Sequence, residues 1–380
     1  MIRVLSVFGT RPEAIKMAPV VAELNRRADV FDARVCVTAQ HREMLDQVLE
    51  FFGIAPDVDL NIMRASQTLG QITSDVLGGL DPILAEMQPD VVLVHGDTTT
   101  TMAAALASFY RRIAVGHVEA GLRTHDMYYP FPEEMNRVVA DAISTLHFAP
   151  TGTSRENLLA AGVARDSVFV TGNTVIDALI AVAGDPRLPG SPVPDDGRLI
   201  LVTAHRRENF GEPLRNACAA LREIAESHRD VRIVYPVHLN PNVQTVAHEV
   251  LGGHDRIHLI EPVPYPVLVR LMKDAEIVVT DSGGIQEEAP SLGKPVLVLR
   301  NETERPEAVD AGTVRIVGTD TATVRDEIER LLTDTAAYGR MAEAANPYGD
   351  GLAARRTADA ISRWFGVEPA EPLAEFRPKD

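Results

Sequence analysis

A chain of 380 residues exceeds what one hydrophobic core usually supports, so two domains are expected, each large enough to bury a core of its own. With 45% hydrophobic and 24% charged residues the composition suits a soluble globular protein, and 37 Lys and Arg against 54 Asp and Glu give a net charge of −17, a surface that repels nucleic acid and anionic membranes. No stretch approaches about 18 uninterrupted apolar residues, Met1-Ile2-Arg3-Val4 leads into a strand rather than a signal peptide, and Cys36 and Cys218 are too far apart for a disulfide framework or a cysteine metal site; a cytoplasmic protein without a metal is expected.

Along the chain, short Val/Ile-rich runs alternate with segments of helical period. The first strand, Arg3 to Phe8, meets Gly9-Thr10-Arg11-Pro12-Glu13, where Thr10 followed by Pro near the first helical position starts a helix marked by Ala14, Met17, Val21 and Leu24. Arg11 at the strand end and Lys16 one turn on place two cations where a phosphate would bind. Strands are expected next at Ala33 to Thr38, Val91 to His95, Ile113 to Val118, Thr145 to Ala149 and Val168 to Thr171, with a long helix from Leu69 to Met87.

Three loops after these strands are acidic. His95-Gly96-Asp97-Thr98 reads either as a helix cap or as a reactive carboxylate, and His117-Val118-Glu119 and Pro130-Phe131-Pro132-Glu133-Glu134 add further acids on one rim of a parallel sheet. Acids gathered there point to general acid and base work. His117-Val118-Glu119 also fits a fragment of the zinc deaminases, but the Pro-Cys-x-x-Cys companion is absent, so no zinc site is supported.

The segment from Gly184 to Gly197, rich in Pro, Gly and Asp, marks the join. Beyond it the pattern repeats, with strands at Leu199 to Thr203, Arg232 to Val237, Ile257 to Ile260, Ile277 to Thr280, Val296 to Leu299 and Val314 to Val317. His205-Arg206-Arg207 follows the first of these strands and His238-Leu239-Asn240 the second, and both suit a diphosphate. Asp281-Ser282-Gly283-Gly284-Ile285-Gln286-Glu287-Glu288 is a strand, a small-residue turn and a helix start. It reads either as a Gly-rich turn that needs only a tight bend or as a ligand site, in which the glycines admit a ligand close to the backbone, the first N–H groups attract an anion such as a diphosphate, and Glu287 or Glu288 would accept from ribose hydroxyls. Gly293-Lys294 lacks the earlier glycine of a P-loop, and no G-x-G-x-x-G follows a strand, so neither triphosphate hydrolysis nor a nicotinamide cofactor is indicated. Continuous apolar strands between helices mean an α/β protein, here two doubly wound, Rossmann-like parallel-sheet domains facing a central cleft. The expected boundaries are 1–172 and 173–351, with a helix over about 352–366 returning to the first domain and a polar, mostly disordered tail over 367–380.

These blocks closely resemble the non-hydrolysing UDP-N-acetylglucosamine 2-epimerases, which look like GT-B glycosyltransferases in fold, from about Val4 to about Trp364; Thr303-Glu304-Arg305-Pro306-Glu307 and Asn346-Pro347-Tyr348-Gly349-Asp350-Gly351 add to the match. The resemblance implies interconversion of UDP-GlcNAc and UDP-ManNAc through an enzyme-bound 2-acetamidoglucal, without a cofactor, in a homodimer that supplies ManNAc-type sugars for cell-surface polysaccharide. It assigns Asp97, Glu119 and Glu133 to proton transfer and His205 to leaving-group assistance. Arg11, Lys16, His238, Ser282, Gly283, Gly284, Glu288 and Arg305 fall to the UDP moiety, and Gln40, Glu43, Glu134 and Arg206 to a regulatory second UDP-GlcNAc. Two departures lie near that regulatory and lid region: Tyr129 stands where the family usually has Ser, and His125 where it commonly has Gly. A hydrolysing epimerase, a GT-B glycosyltransferase and a non-catalytic UDP-sugar sensor remain as alternatives.

Overall fold

The computed structural model describes residues 1–378 apart from 40, 41, 65, 195 and 304. The chain forms two compact units, Met1–Ala178 with Tyr348–Arg377, and Leu179–Pro347. The boundary lies within a helix, Thr174–Gly184, and the Pro/Gly-rich segment from Gly184 to Gly197 lies inside the second unit.

In the first unit, strands β1 (Ile2–Phe8), β2 (Phe31–Val37), β3 (Val58–Asp59), β4 (Val91–His95), β5 (Ala114–Val118), β6 (Leu146–Ala149) and β7 (Val168–Val170) form one sheet in the order 3-2-1-4-5-6-7. Every pairing in it is parallel. The helices between them are α1 (Arg11–Arg26), α2 (Arg42–Phe52), α3 (Leu69–Met87), α4 (Thr99–Tyr110), α5 (Glu133–Ile143), α6 (Gly152–Ala160) and α7 (Thr174–Gly184). Leu5, Val7, Val92 and Val94 of the sheet pack with Ile72, Val76 and Leu80 of α3, and the small residues Ala103, Ala104, Ala105 and Ala107 let α4 sit close against the strands. Each such Val or Leu removed from water contributes about 1.5–3 kcal/mol.

The second unit repeats the architecture with β8 (Arg198–Thr203), β9 (Val231–Pro236), β10 (Ile257–Ile260), β11 (Ala275–Thr280), β12 (Val296–Val298) and β13 (Val314–Ile316), in the order 10-9-8-11-12-13 and again all parallel. Helices α8 (Glu212–Ser227), α9 (Pro241–Leu251), α10 (Tyr265–Asp274), α11 (Gly283–Glu288), α12 (Pro306–Asp310), α13 (Thr321–Thr333) and α14 (Thr335–Ala342) cover it. Ile200, Val202, Ile233, Tyr235 and Val279 meet Leu221 and Ile224 of α8 and Ile328 and Leu331 of α13 in the core. Both sheets are therefore doubly wound and Rossmann-like, as expected. Their strand order reverses between β1 and β4 in one unit and between β8 and β11 in the other, the points where such sheets bind ligands beyond their carboxyl ends.

Helix α15 (Ala353–Trp364) belongs to the first unit, its first turn held by Asp177, which accepts from Ala353 N at 3.1 Å and Ala354 N at 2.8 Å. The tail does not behave as the disordered segment expected. Phe376 is buried and donates its N–H to Val170 O at the edge of the sheet (2.8 Å), under the guanidinium of Arg356. Arg356 also donates to Ala374 O (2.8 Å), and Arg155 pairs with Glu375 (2.9 Å). One aromatic side chain and a few guanidinium groups hold a segment whose composition reads as polar. Among the described residues no helix is long and apolar enough to cross a membrane.

Candidate active site

The loops at the first switch point are tied together by a buried carboxylate. Glu13 accepts from Gly9 N (3.0 Å), Thr10 N (2.7 Å) and Thr98 Oγ1 (2.6 Å), joining the turn after β1 to the turn after β4, and burial raises its pKa. A Cβ on Gly9 would sit 1.9 Å from Thr38 Oγ1, so only glycine fits this approach. Asp97 follows β4. One oxygen of its carboxylate pairs with Arg137, and its backbone carbonyl accepts from Asn136 Nδ2 at 2.9 Å.

Glu119 follows β5 with φ 65, a left-handed conformation that is costly for a residue with a Cβ and that clusters at functional sites. It is buried, and its Oε2 pairs with the ammonium of Lys16 and accepts from Asn173 Nδ2 at 2.8 Å. His95 Nε2 lies 3.9 Å from the same oxygen. Neither ring nitrogen of His95 has a hydrogen-bond partner among the described residues, and burial depresses its pKa to about 3, so it stays neutral.

Behind these acids sits a second layer. His117 is fully buried between Gly96 O (Nε2, 2.7 Å) and Asp141 Oδ1 (Nδ1, 2.6 Å). The other oxygen of Asp141 accepts from Arg123 (2.6 Å) and from Gly121 N (3.3 Å). Burial alone would push the pKa of Asp141 up, but His117 and Arg123 outweigh it and hold the group at about 2. Glu133 opens α5 with one carboxylate oxygen buried and lacking a hydrogen-bond partner among the described residues. Glu134 is buried and accepts from the N–H groups of Thr124 and His125, both at 3.1 Å. His125 has φ 63, a left-handed conformation that glycine adopts more readily than a residue with a Cβ.

In the second unit Asp281 plays the binding-together part. It is wholly buried at the end of β11 and accepts from His205 N (2.9 Å), Arg206 N (2.8 Å) and Asn209 Nδ2 (3.1 Å), which fixes the loop after β8. The His205 ring is half exposed and stacks on His238, centroids 5.6 Å apart and planes 14° from parallel. Desolvation lowers the pKa of His205, the neighbouring His238 and Arg206 lower it further, and Asp281 opposes them. Ser282 stands at the N-cap position of the short helix α11 without a side-chain cap hydrogen bond, and a Cβ on Gly283 would lie 3.7 Å from the Arg206 guanidinium. Glu287 pairs with Arg305, Thr303 donates to Gln286 (2.6 Å), and Tyr265 donates to Glu288 Oε2 (2.7 Å).

The predicted residues thus fall into two groups. Lys16, Asp97 and Glu119 gather at the carboxyl edge of the first sheet, with Arg11 and Glu133 opening the helices α1 and α5 there, while His205, Arg206, His238, Ser282, Gly283, Gly284, Glu288 and Arg305 line that of the second. Lys16, expected on a diphosphate, has its ammonium on Glu119. Glu43 lies on α2, and Gln40 lies outside the described residues. Sequence reasoning missed Asn136, Arg137, Asp141, Asn173 and Tyr265. The signal for two of them was present in α5, where Arg137 and Asp141 recur with Glu134 at helical spacing on the face that should be apolar. Among the described residues no group of three or more His, Cys, Asp or Glu is placed to hold a metal ion.

Known proteins align with this chain over nearly its whole length. The UDP-N-acetylglucosamine 2-epimerase of Escherichia coli K12 is 57% identical over 94% of this chain and 98% of its own. A crystal structure from Listeria monocytogenes, 50% identical, covers 98% of this chain and 99% of that one with a TM-score of 0.92. The UDP-GlcNAc 2-epimerase of Neisseria meningitidis bound to UDP-GlcNAc, 48% identical, covers 95% of this chain and 100% of that one with a TM-score of 0.86. The family model for UDP-N-acetylglucosamine 2-epimerase matches residues 22–362, and the chain belongs to that family.

Proposed function

We propose that the protein epimerises UDP-GlcNAc at carbon 2 to UDP-ManNAc by eliminating UDP and adding it back, without hydrolysing the intermediate. The observation that carries this reading is the pair of charge-held carboxylates, Asp97 on Arg137 and Glu119 on Lys16, at the ends of adjacent strands beside the switch point. Inversion at carbon 2 needs a base on one face of the sugar ring and an acid on the other.

The proton at carbon 2 passes to one carboxylate while the C1–O bond breaks and its electron pair leaves with the β-phosphate of UDP. The electrons of the C–H bond become the C1=C2 double bond of 2-acetamidoglucal. A second acid then protonates carbon 2 from the opposite face, and the phosphate oxygen closes on carbon 1. Asp97, Glu119 and Glu133 are the proton-transfer groups in this reading. Lys16 holds Glu119 as a carboxylate ready to accept a proton.

The second unit holds UDP. His205, neutral because desolvation lowers its pKa, assists the departing diphosphate, with His238, the Ser282 hydroxyl and the N–H groups of Gly283 and Gly284 bearing its charge. Glu288, oriented by Tyr265, takes the ribose hydroxyls, and Arg305 stands beside it on Glu287. Gln40, Glu43, Glu134 and Arg206 are proposed for a second, activating UDP-GlcNAc. A cytoplasmic homodimer that feeds ManNAc-type sugars into surface polysaccharide completes the reading.

Proton NMR with UDP-GlcNAc in D₂O tests it. UDP-ManNAc appearing with deuterium at carbon 2 of both sugar nucleotides is the expected result. Free ManNAc and UDP would identify a hydrolysing enzyme, and unchanged substrate would favour a transferase.

A further inference from the structure

We infer that His117 is a positioning residue that locks the turn carrying Asp97 to the loop carrying Glu119, an inference that rests on the reading of those two acids as proton-transfer groups. Gly96 has φ 68, and its peptide is held from both sides by β5: its N–H donates to Val118 O at 2.9 Å, and its carbonyl faces His117 Nε2 at 2.7 Å. A carbonyl oxygen only accepts, so Nε2 carries the hydrogen and donates it. The next residue in the chain is Asp97.

The other side of the ring engages the second acid. Nδ1 lies 2.6 Å from Asp141 Oδ1, and Asp141 Oδ2 holds Gly121 N and Arg123, the far end of the loop that begins at Glu119. Asp141 stands on α5, which also supplies Arg137 to the Asp97 carboxylate and Asn136 to its carbonyl. One imidazole with no exposure to solvent therefore joins β4, β5 and α5 at the point from which both acids project. His95 at the end of β4 and His147 on β6, whose Nε2 donates to Asp141 O at 2.9 Å, are further titratable groups near it, and burial lowers the pKa of both. His117 is placed to touch no substrate. Its effect passes through the two loops, where a shift of about 1 Å costs on the order of 10²-fold in rate.

Two substitutions separate the two bonds. In His117→Gln the amide nitrogen falls where Nε2 stands and retains a donor for Gly96 O, whereas in His117→Asn the shorter amide reaches Asp141 but not Gly96. Both are compared with the wild type for thermal melting, kcat, KM and deuterium uptake at carbon 2. His117→Asn is expected to melt as a folded protein and to lose about 10²-fold in kcat with KM within about two-fold, and His117→Gln to recover at least about tenfold of that loss. Wild-type kcat in His117→Asn, equal impairment of the two variants, or a rise in KM with kcat unchanged would each overturn the inference while leaving the epimerase reading intact. Should the wild type leave UDP-GlcNAc untouched, the functional reading falls, and amide hydrogen exchange at residues 96–98 decides the clamp by itself. Exchange at least about tenfold faster in His117→Asn than in His117→Gln sustains it, and equal exchange removes it.

Discussion

The two units share the order of six strands, to which the first adds a seventh, yet use the carboxyl edge differently. At the edge of the first sheet three acids are paired with cations, Glu119 with Lys16, Asp97 with Arg137 and Asp141 with Arg123, while Glu13 is spent on the N–H groups of its turn. At the edge of the second, the buried Asp281 is held chiefly by N–H donors of the loop it shapes, while His205 and His238 turn their rings outward. Charge pairing fixes where a carboxylate points, as proton transfer requires. A carboxylate spent on backbone N–H groups instead builds a loop, and the loop presents cations to an anion. Fold alone does not make this distinction; the residues grafted on it do.

The sharpest way to break the comparison is to neutralise one acid in the first unit. Asp97→Asn and Glu119→Gln keep shape and hydrogen bonding but remove proton transfer, so turnover should fall by roughly 10²- to 10⁴-fold while UDP binding, measured by calorimetry, stays nearly unchanged. Wild-type turnover in either variant would take that residue out of the mechanism. Asp281→Ala probes the other edge. It strands one buried donor, Asn209 Nδ2, at a cost of about 1–3 kcal/mol, and two part-buried N–H groups that water can partly satisfy, so the second unit should lose about 2 kcal/mol and UDP affinity should drop with it. An unaltered melting temperature with normal UDP binding would show that the loop after β8 stands without its anchor.

Much of this was legible beforehand because it rests on local chemistry. Continuous Val/Ile runs of strand length announced twelve of the strands, and Pro, Thr and Gly at loop positions announced the helix starts at Thr10 and Ser282. β3 escaped because two residues, Val58 and Asp59, carry no period. The tail was misread because burial of Phe376 depends on Arg356 and the β7 edge, which composition does not register. The acids of the candidate site were visible as residue types after strands, but their partners were not. Lys16 reads as a phosphate ligand by position and turns to Glu119 only because strand order brings β5 beside β4 and β4 beside β1. Asn173 reaches Glu119 from 54 residues away, a distance at which no sequence period speaks.

The first unit also contains an acid without a cation among its recorded partners, and it sharpens the rule. Asp177 caps α15 with two N–H donors, but burial outweighs them and, with Asp350 nearby, raises its pKa from 3.8 to about 6. A folded-state value above the unfolded one means stability that is fully present below about pH 4 and lost as pH rises through about 6, by about 3 kcal/mol at most. Asp177→Asn should flatten that part of the curve of melting temperature against pH. An unchanged slope between pH 4 and 6 would assign the loss to other groups.

The smallest effect tests whether a carboxylate in the second unit is oriented by a neutral partner as firmly as those in the first are by cations. Tyr265 is buried, burial and the adjacent Glu288 drive its pKa well above the usual phenol value, and its hydroxyl therefore remains a donor to Glu288 Oε2 across the working range. Tyr265→Phe removes one hydrogen bond to a charged group, worth about 1.5–3 kcal/mol when fully desolvated, of which only the part that preorganises Glu288 for ribose reaches binding. KM for UDP-GlcNAc should rise several-fold, about 1 kcal/mol, with kcat held. If kcat falls instead with KM constant, Glu288 acts on the reacting sugar rather than on the ribose, and the division of labour between the two edges fails at that residue.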